Sequence, residues 1–480
     1  MYQLSGKTIS SVRQILPAQD APEVLEKLRS GSYPWLLHSA MASERGRFSF
    51  VGADPYLVVR GRGSEIEVEC LRAVRPGLVV GRREASGDLL EAVRSLFPEP
   101  PSASTPTSIP FIGGAVGYLG YELADQFDIH RFRGLDDLQL PDLYLLFVDR
   151  FFAHDSRDGR LYACALGFAD DLDVAADRAR QAVDEVCAQI DLALPSARSA
   201  SVERSAPPFA FFDAYTYAKA VDAAKEEIAA GEVYQVCLTH RRERDCAADP
   251  WDLYRKLREL NPAPFSSYFE LPEVAIVSSS PERFLRVDAD RWVESRPIKG
   301  TSPRGRDEAS DLASRAALEA SAKDRAENLM IVDLVRNDLG RVCEVGSVEV
   351  PELMVIESYA SVYQMVSTIR GRLRDECDVF DLVRATFPPG SMTGAPKIAA
   401  MRILDELEPV RRGVYSGALG YFDLRGGADL CVVIRTILLS DGRAYLHTGG
   451  GIVADSNSAD EWQESMDKAR LLEAALEEVC

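Results

Sequence analysis

Lys299 stands in "ESRPIKGTSPRG" (residues 294–305), where Pro297 and Pro303 fix φ and Gly300 licenses a turn closed to other residues. The segment makes it either a positioned amine or a solvated lysine on a surface turn. In "KDRAENLMIVDLVRNDLG", Glu327 lies three, four and seven residues before Met330, Ile331 and Leu334, so a helix puts its carboxylate on a largely apolar face, where it needs an internal or a bound cation. In "SNSADEWQESMDKAR", Ser458 and Glu461 have capping-box spacing, and Glu461, Glu464 and Lys468 flank a stripe of Trp462, Met466, Ala469, Leu472, Leu476 and Val479. Two carboxylates at i and i+3 suit Mg2+, which takes one or two carboxylates, several waters and an anionic substrate; the other use is a solvated flank.

Three glycines precede that helix. Gly449, Gly450 and Gly451 in "HTGGGIVADS" expose backbone N–H groups to an anion or form a plain turn, without the spacing of a nucleotide loop. In "FPPGSMTGAPK", Pro396 fits the first turn of a helix and places Thr393 and Gly394 at its N-terminus. In "CVVIRTI", a strand puts Arg435 on one face with Cys431, Val433 and Ile437. A half-buried guanidinium there wants a carboxylate, from the protein or from a substrate.

The elements that must position these groups alternate. Helical spacing covers 215–231, 324–339, 397–407 and 460–479; strand runs include "YLVVRG", "DLYLLFVDRFFAHD", "EVAIVSSS", "YSGALGYFDL" and "ADLCVVIRTILL". Two Pro/Ser/Ala-rich stretches, 98–110 and 195–208, read as loops. The second divides an N-terminal region (1–195) from a C-terminal one (209–480), with 196–208 as linker. "GAVGYLGYE" and "GALGYFDL" echo each other across the halves, and one echo does not establish a duplication.

Composition sets the class. The 480 residues are 46% hydrophobic, ample for a large core, and the net charge of −20 disfavours nucleic acid and anionic membranes as partners. The first residues have no apolar signal core and no stretch approaches a bilayer span, so the expected place is the cytoplasm, with no membrane partner. Nine scattered cysteines without a CxxC pair are expected as reduced thiols.

Together the motifs "GEVYQVCLTHR", "SSSPERFL", "RPIKGTSPRG", "KDRAENLMIVDLVRNDLGRV", "FPPGSMTGAPK", "YSGALGYF", "VVIRTI" and "GGGIVADSNSADEWQES" resemble, in order, the chorismate-utilising family. That family includes anthranilate synthase large subunits, aminodeoxychorismate synthase component I, isochorismate synthases and salicylate synthases. The resemblance covers most of 209–470 and, more thinly, the N-terminal region through "LLHSA", "GRFSFVGADP" and "FIGGAVGYLGYEL". It implies an α+β fold of two packed β-sheets with outer helices, Mg2+, and chorismate as substrate. Carried onto this chain it implies Glu327, Glu461 and Glu464 as metal carboxylates. Gln235, Thr301, Gln364, Thr393, Gly394, Tyr421, Arg435, Gly450, Gly451 and Lys468 then surround the substrate.

Three signs choose the branch. Water-adding members carry a lysine base where this chain has Gln235, and an amide cannot take a proton from water. Anthranilate synthases usually have alanine at the position of Lys299, whereas aminodeoxychorismate synthases typically read "PIKGT". "NPAPFSSYF" is nearer the APFS form of the latter. Two departures accompany them: Gln364 stands where many relatives have histidine, and His38 where the anthranilate branch has glutamate.

The resemblance thus implies amination of chorismate, with Lys299 as nucleophile at C2 and Glu282 of "SPERF" as general acid for the C4 hydroxyl. No cysteine sits in a GxCxGxQ-like setting, so a separate glutamine amidotransferase subunit is expected to supply ammonia. The alternatives are an anthranilate synthase large subunit and a chorismate-binding regulatory subunit without catalysis.

Overall fold

The computed structural model describes residues 4–41, 46–101, 103–104, 108–127, 129–190, 209–359 and 362–480. The expected linker 196–208 lies outside the described residues, as does part of the 98–110 loop.

The first sheet is built outward from a central antiparallel pair, Trp35–His38 against Phe265–Glu270. On one side follow Phe48–Gly52, Arg150–Asp155, Arg160–Ala169 and Lys7–Ile15; on the other follow Ala275–Ser280, Thr436–Ser440, Arg443–Ile452 and Gln235–Asp245. The second sheet grows from Gly114–Leu119 against Ala418–Asp423, with Gly117 opposite Gly420. Its flanks are Leu143–Val148, Leu57–Arg62, Glu65–Cys70 and Gly81–Ser86, and Ala428–Val432, Arg283–Val287, Trp292–Arg296 and Val362–Arg372.

Read from either centre, the two halves of the chain contribute strands in the same order. The echo between "GAVGYLGYE" and "GALGYFDL" is therefore one part of an internal two-fold repeat. Helices repeat it too. Leu89–Leu96 carries Asp88 as N-cap, Glu91 and Arg94, and Val379–Thr386 carries Asp378, Asp381 and Arg384 at the same offsets. Arg94 reaches Asp378 and Asp381, and Arg384 returns the contact to Asp88, the reciprocal pattern of a two-fold interface. The expected fold of two packed sheets with outer helices is the one observed, and both halves of the chain enter both sheets.

Packing explains why some strand runs lack alternation. Phe50, Phe151, Ile276 and Leu438 of the first sheet meet Val116, Tyr144, Leu146 and Tyr421 of the second in one inter-sheet core. The outer faces are covered in turn, the first by Ala21–Leu28, Pro250–Leu260 and Ser458–Val479. Central strands such as Leu143–Val148 are thus buried throughout, while the peripheral Glu65–Cys70 alternates. Two runs that read as single strands are each two. "DLYLLFVDRFFAHD" leaves the second sheet after Val148 and enters the first at Arg150; "ADLCVVIRTILL" does the same between Val432 and Thr436. Arg435 is in that second crossing at φ +53°, so it is not on a strand face with Cys431, Val433 and Ile437.

The cysteine expectation fails at one pair. Cys246 and Cys480 form a disulfide with Cα atoms 5.0 Å apart, tying the C-terminal helix to the end of Gln235–Asp245 across 234 residues of sequence, a separation that leaves no local motif. The other seven are not disulfide-bonded. Among the described residues no helix is long and apolar enough to cross a membrane.

Candidate active site

Lys299 lies on the strand Ile298–Pro303, which pairs with Val362–Arg372 through a bulge between Ile298 and Thr301. The following Gly300 has φ +87°, and a Cβ there would stand 2.9 Å from the Asp324 side chain. Glycine is therefore required for the first turn of the helix Ala322–Gly340 to approach the lysine strand. The Lys299 amine donates to the Ser391 carbonyl at 3.3 Å.

Glu282 closes the other side of this group. It follows the strand Ala275–Ser280, is 4% exposed, and its carbonyl accepts the Val432 N–H. Burial pushes its carboxyl up to about 7, and the Ser391 side chain, the charge of Lys299 and the Ile298 N–H hold it back from going higher. Glu282 and Ser391 line a small cleft together with Ser295, Pro297, Asp338 and Thr386. A buried carboxyl brought to titrate near neutrality is suited to giving or taking a proton.

The acidic residues gather on the far flank of the lysine. Glu327 is buried, accepts Gln235 Nε2 at 3.3 Å, and is raised by burial against the pull of Lys299 and Lys323. Glu461 is 1% exposed on the buried stripe of its helix, where its Oε1 takes the Ser456 hydroxyl at 2.6 Å and Lys323 Nζ at 2.8 Å. The expected capping box is absent because Asn457, one residue earlier, is the N-cap and frees Glu461 to turn inward. Glu464 is exposed, and Lys468 at 2.7 Å, with Lys323 and Lys299, holds its carboxyl below the usual carboxylate range.

The three glycines run beneath these carboxylates as part of the strand Arg443–Ile452, paired with Gln235–Asp245, and do not form a tight turn. A Cβ at Gly450 would stand 3.3 Å from Glu461 Oε2, 3.6 Å from Lys468 Nζ and 3.8 Å from Glu464 Oε1. At Gly451 it would overlap Gln235 Nε2 and stand 3.0 Å from Glu327 Oε2. Glu461 Oε2 and Gln235 Oε1 are buried without a hydrogen-bond partner. Unpaired buried oxygens over a floor without side chains fit a hard oxygen-seeking cation such as Mg2+. Among the described residues no three acidic, His or Cys side chains are grouped so as to hold a metal ion by themselves.

The other expected contacts divide. Lys468 reaches the Gly449 carbonyl at 3.0 Å, and the Arg435 guanidinium donates to the carbonyl of Lys468, so both belong to this cluster. Gln364 is buried opposite Thr301 in register, with its side-chain oxygen unpartnered, while Thr301 is exposed. The Thr393 hydroxyl is spent on the Gly390 carbonyl at 3.2 Å. Gly394, at φ +133°, pairs with Val236 so closely that a Cβ would overlap the Gln235 carbonyl; it sets the backbone against Gln235.

Tyr421 does not join them. Its ring packs on Phe50 and Phe111 in the inter-sheet core. The tyrosine beside Arg435 is Tyr415, stacked on His447 at 4.9 Å. "YSGALGYF" holds both tyrosines, and in a run buried on every side no periodicity tells which one faces the cluster. Lys323 and Ser391 also escaped the sequence reading; the first carries a signal in its i, i+4 spacing to Glu327.

The family model described as chorismate binding enzyme matches residues 83–474. An aminodeoxychorismate synthase of Streptomyces griseus is 41% identical over 97% of this chain, which spans 64% of that protein's length. An aminodeoxychorismate synthase component 1 of Bacillus subtilis (strain 168) is 36% identical, covering 94% of this chain and 93% of its own. Among solved structures, the anthranilate synthase component I of Streptococcus pneumoniae TIGR4 superposes with a TM-score of 0.73 at 28% identity, over 90% of this chain and 93% of that one.

Proposed function

The chain belongs to the chorismate-binding enzyme family, and on that premise we propose that it aminates chorismate to 4-amino-4-deoxychorismate, the precursor of para-aminobenzoate and folate. The observation that carries this reading is the pairing of Lys299 with a buried, readily protonated Glu282 across Ser391. Gln235, which donates to Glu327, is an amide and cannot serve as a water-activating base.

In this mechanism Lys299 first releases its ammonium proton to solvent and then attacks ring carbon C2 as the amine. The two ring double bonds shift, the C4–O bond breaks, and Glu282 gives its proton to the departing hydroxyl, which leaves as water. Ammonia then forms the new bond at C4, the double bonds return, and the C2–N bond breaks to release Lys299. Two displacements retain configuration at C4. Glu327, Glu461 and Glu464 would hold Mg2+, which neutralises the ring carboxylate when bound. Lys468 and Arg435 keep the glycine floor and the last helix in register with it.

A separate amidotransferase is proposed as the ammonia source, because none of the nine cysteines has the surroundings of a glutamine-hydrolysing nucleophile. The cytoplasm is proposed as the place of reaction. An anthranilate-forming activity is the second reading, favoured by the likeness to the anthranilate synthase structure. Incubation with chorismate, Mg2+ and ammonium, followed by mass identification of the product, tests the proposal. Aminodeoxychorismate supports it and anthranilate overturns it.

A further inference from the structure

Among the described residues, Lys323 is the one cation paired with Glu461. Its Nζ stands 2.8 Å from Oε1, the oxygen that also takes the Ser456 hydroxyl at 2.6 Å, while Oε2 lies over Gly450 without a partner. The other cations of the cluster are engaged elsewhere. Lys468 is on Glu464 at 2.7 Å and on the Gly449 carbonyl, Lys299 is on the Ser391 carbonyl, and Arg435 donates to the carbonyl of Lys468. Helix energetics do not explain a lysine at 323. It sits in the first turn of Ala322–Gly340, just after the N-cap Ser321, where the helix dipole disfavours positive charge, and it precedes Glu327 by four residues, the weaker order for such a pair. What it gains is the contact across to the last helix. The partners are unequal, because the Glu461 side chain is 1% exposed and that of Lys323 is 42% exposed. The carboxylate is buried, and the ammonium reaches it from the solvent side on a flexible stem.

We propose that Lys323 is a tethered competitor of the metal ion: its ammonium shares the Glu461 carboxylate with Mg2+ and, by repulsion, holds down the affinity of the protein for that ion. The proposal rests on the reading of Glu327, Glu461 and Glu464 as metal carboxylates given above. A lysine bonded to one oxygen of a carboxylate leaves the other open, so both cations have a place on Glu461, at the cost of the repulsion between them. The charge of Lys323 acts on Glu327 and Glu464 as well, so the three carboxylates offer an ion less negative potential than their number implies. Lys323 takes no part in the bond-making steps; it sets how tightly the ion is held.

Titration calorimetry with magnesium chloride alone, at low ionic strength, reads the effect without turnover. Lys323→Met keeps the aliphatic stem and removes the charge, and it should bind Mg2+ about tenfold more tightly than the parent protein, the size of one charge contact at a half-exposed site. Lys323→Arg keeps the charge and should match the parent within about twofold. The gain in Lys323→Met should shrink at about 0.5 M salt, where the repulsion is screened. In a Glu461→Gln background the same substitution should gain little, which ties the effect to this pair. Thermal melting gives a second reading: without Mg2+ the Lys323→Met protein should melt below the parent, because buried Glu461 loses its partner, and Mg2+ should raise its Tm by more than it raises that of the parent. Should the methionine variant not fold, Lys323→Gln, which can still donate to Glu461 but carries no charge, gives the same comparison. A parent that binds Mg2+ while Lys323→Met and Lys323→Gln bind it no more tightly overturns the proposal for Lys323 alone. No Mg2+ binding by the parent or by any variant overturns the metal-carboxylate reading beneath it.

Discussion

Replacing Glu282 by glutamine removes one proton and leaves the volume of the site nearly unchanged. At pH 7 a carboxyl of the ordinary pKa, 4.5, is protonated in about one molecule in three hundred; raised to about 7, it is protonated in about half. Burial therefore multiplies the competent acid by roughly 150-fold at neutral pH. Glu282→Gln should lower kcat by roughly 10² to 10⁴, the span of a single general acid, with chorismate still bound. In the parent protein kcat should fall as pH rises through about 7, because the acid must be protonated. Folding gives an independent reading. The folded pKa lies above the unfolded one, so this group's contribution is fully present below about 4.5 and is lost as pH rises to about 7, a loss of roughly 3 kcal/mol. Glu282→Gln should then be the more stable protein in denaturant at pH 8 and lose that advantage at pH 4.5. A variant with near-normal turnover, or a parent rate flat from pH 6 to 9 at constant free ammonia, would refute the reasoning.

Other outcomes follow from the same site. Gln235→Lys supplies a base beside Glu327 and should give some hydroxylated, isochorismate-like product by mass spectrometry; its absence means that pocket shape also excludes water. Glu461→Gln should weaken Mg2+ binding at least about tenfold in titration calorimetry, since it removes charge from the unpaired Oε2. The isolated chain should use ammonium at alkaline pH and not glutamine, and should gain glutamine use only with an amidotransferase component. Glutamine use by the chain alone, free of contaminating amidotransferase, would remove the partner from the account.

How much of this was legible in the sequence depended on distance along the chain. Glycines and prolines near Lys299 act within a few residues, and their reason for being there is local: Gly300 lets a helix come within contact of the lysine strand. The helices bearing Glu327 and Glu461 were legible for the same reason, their periodicity being a property of neighbours at three and four residues. Contacts made at long range were not. Arg435 looked like a strand residue because a chain passing from one buried sheet to another stays apolar throughout, with no polar break to mark the crossing. Glu461 matched a capping box by spacing, yet Asn457 one position earlier makes the better cap and changes which way the carboxylate points. The two-fold repeat is visible in sequence where the halves touch each other, at the glycine-rich strands in which Gly117 faces Gly420 and at the helices in which Arg94 and Arg384 reach the other's N-cap aspartate.

The claim most open to direct attack is that Lys299 bonds to the substrate. With chorismate and Mg2+ present and ammonia withheld, the intermediate lacks its second nucleophile, so acid quenching, digestion and peptide mass spectrometry should find Lys299 carrying the mass of chorismate less one water. The adduct should vanish in Lys299→Ala together with product formation, and should disappear from the parent protein when ammonium is added. An unmodified Lys299 peptide, with full aminodeoxychorismate formation retained in Lys299→Ala, would contradict the account.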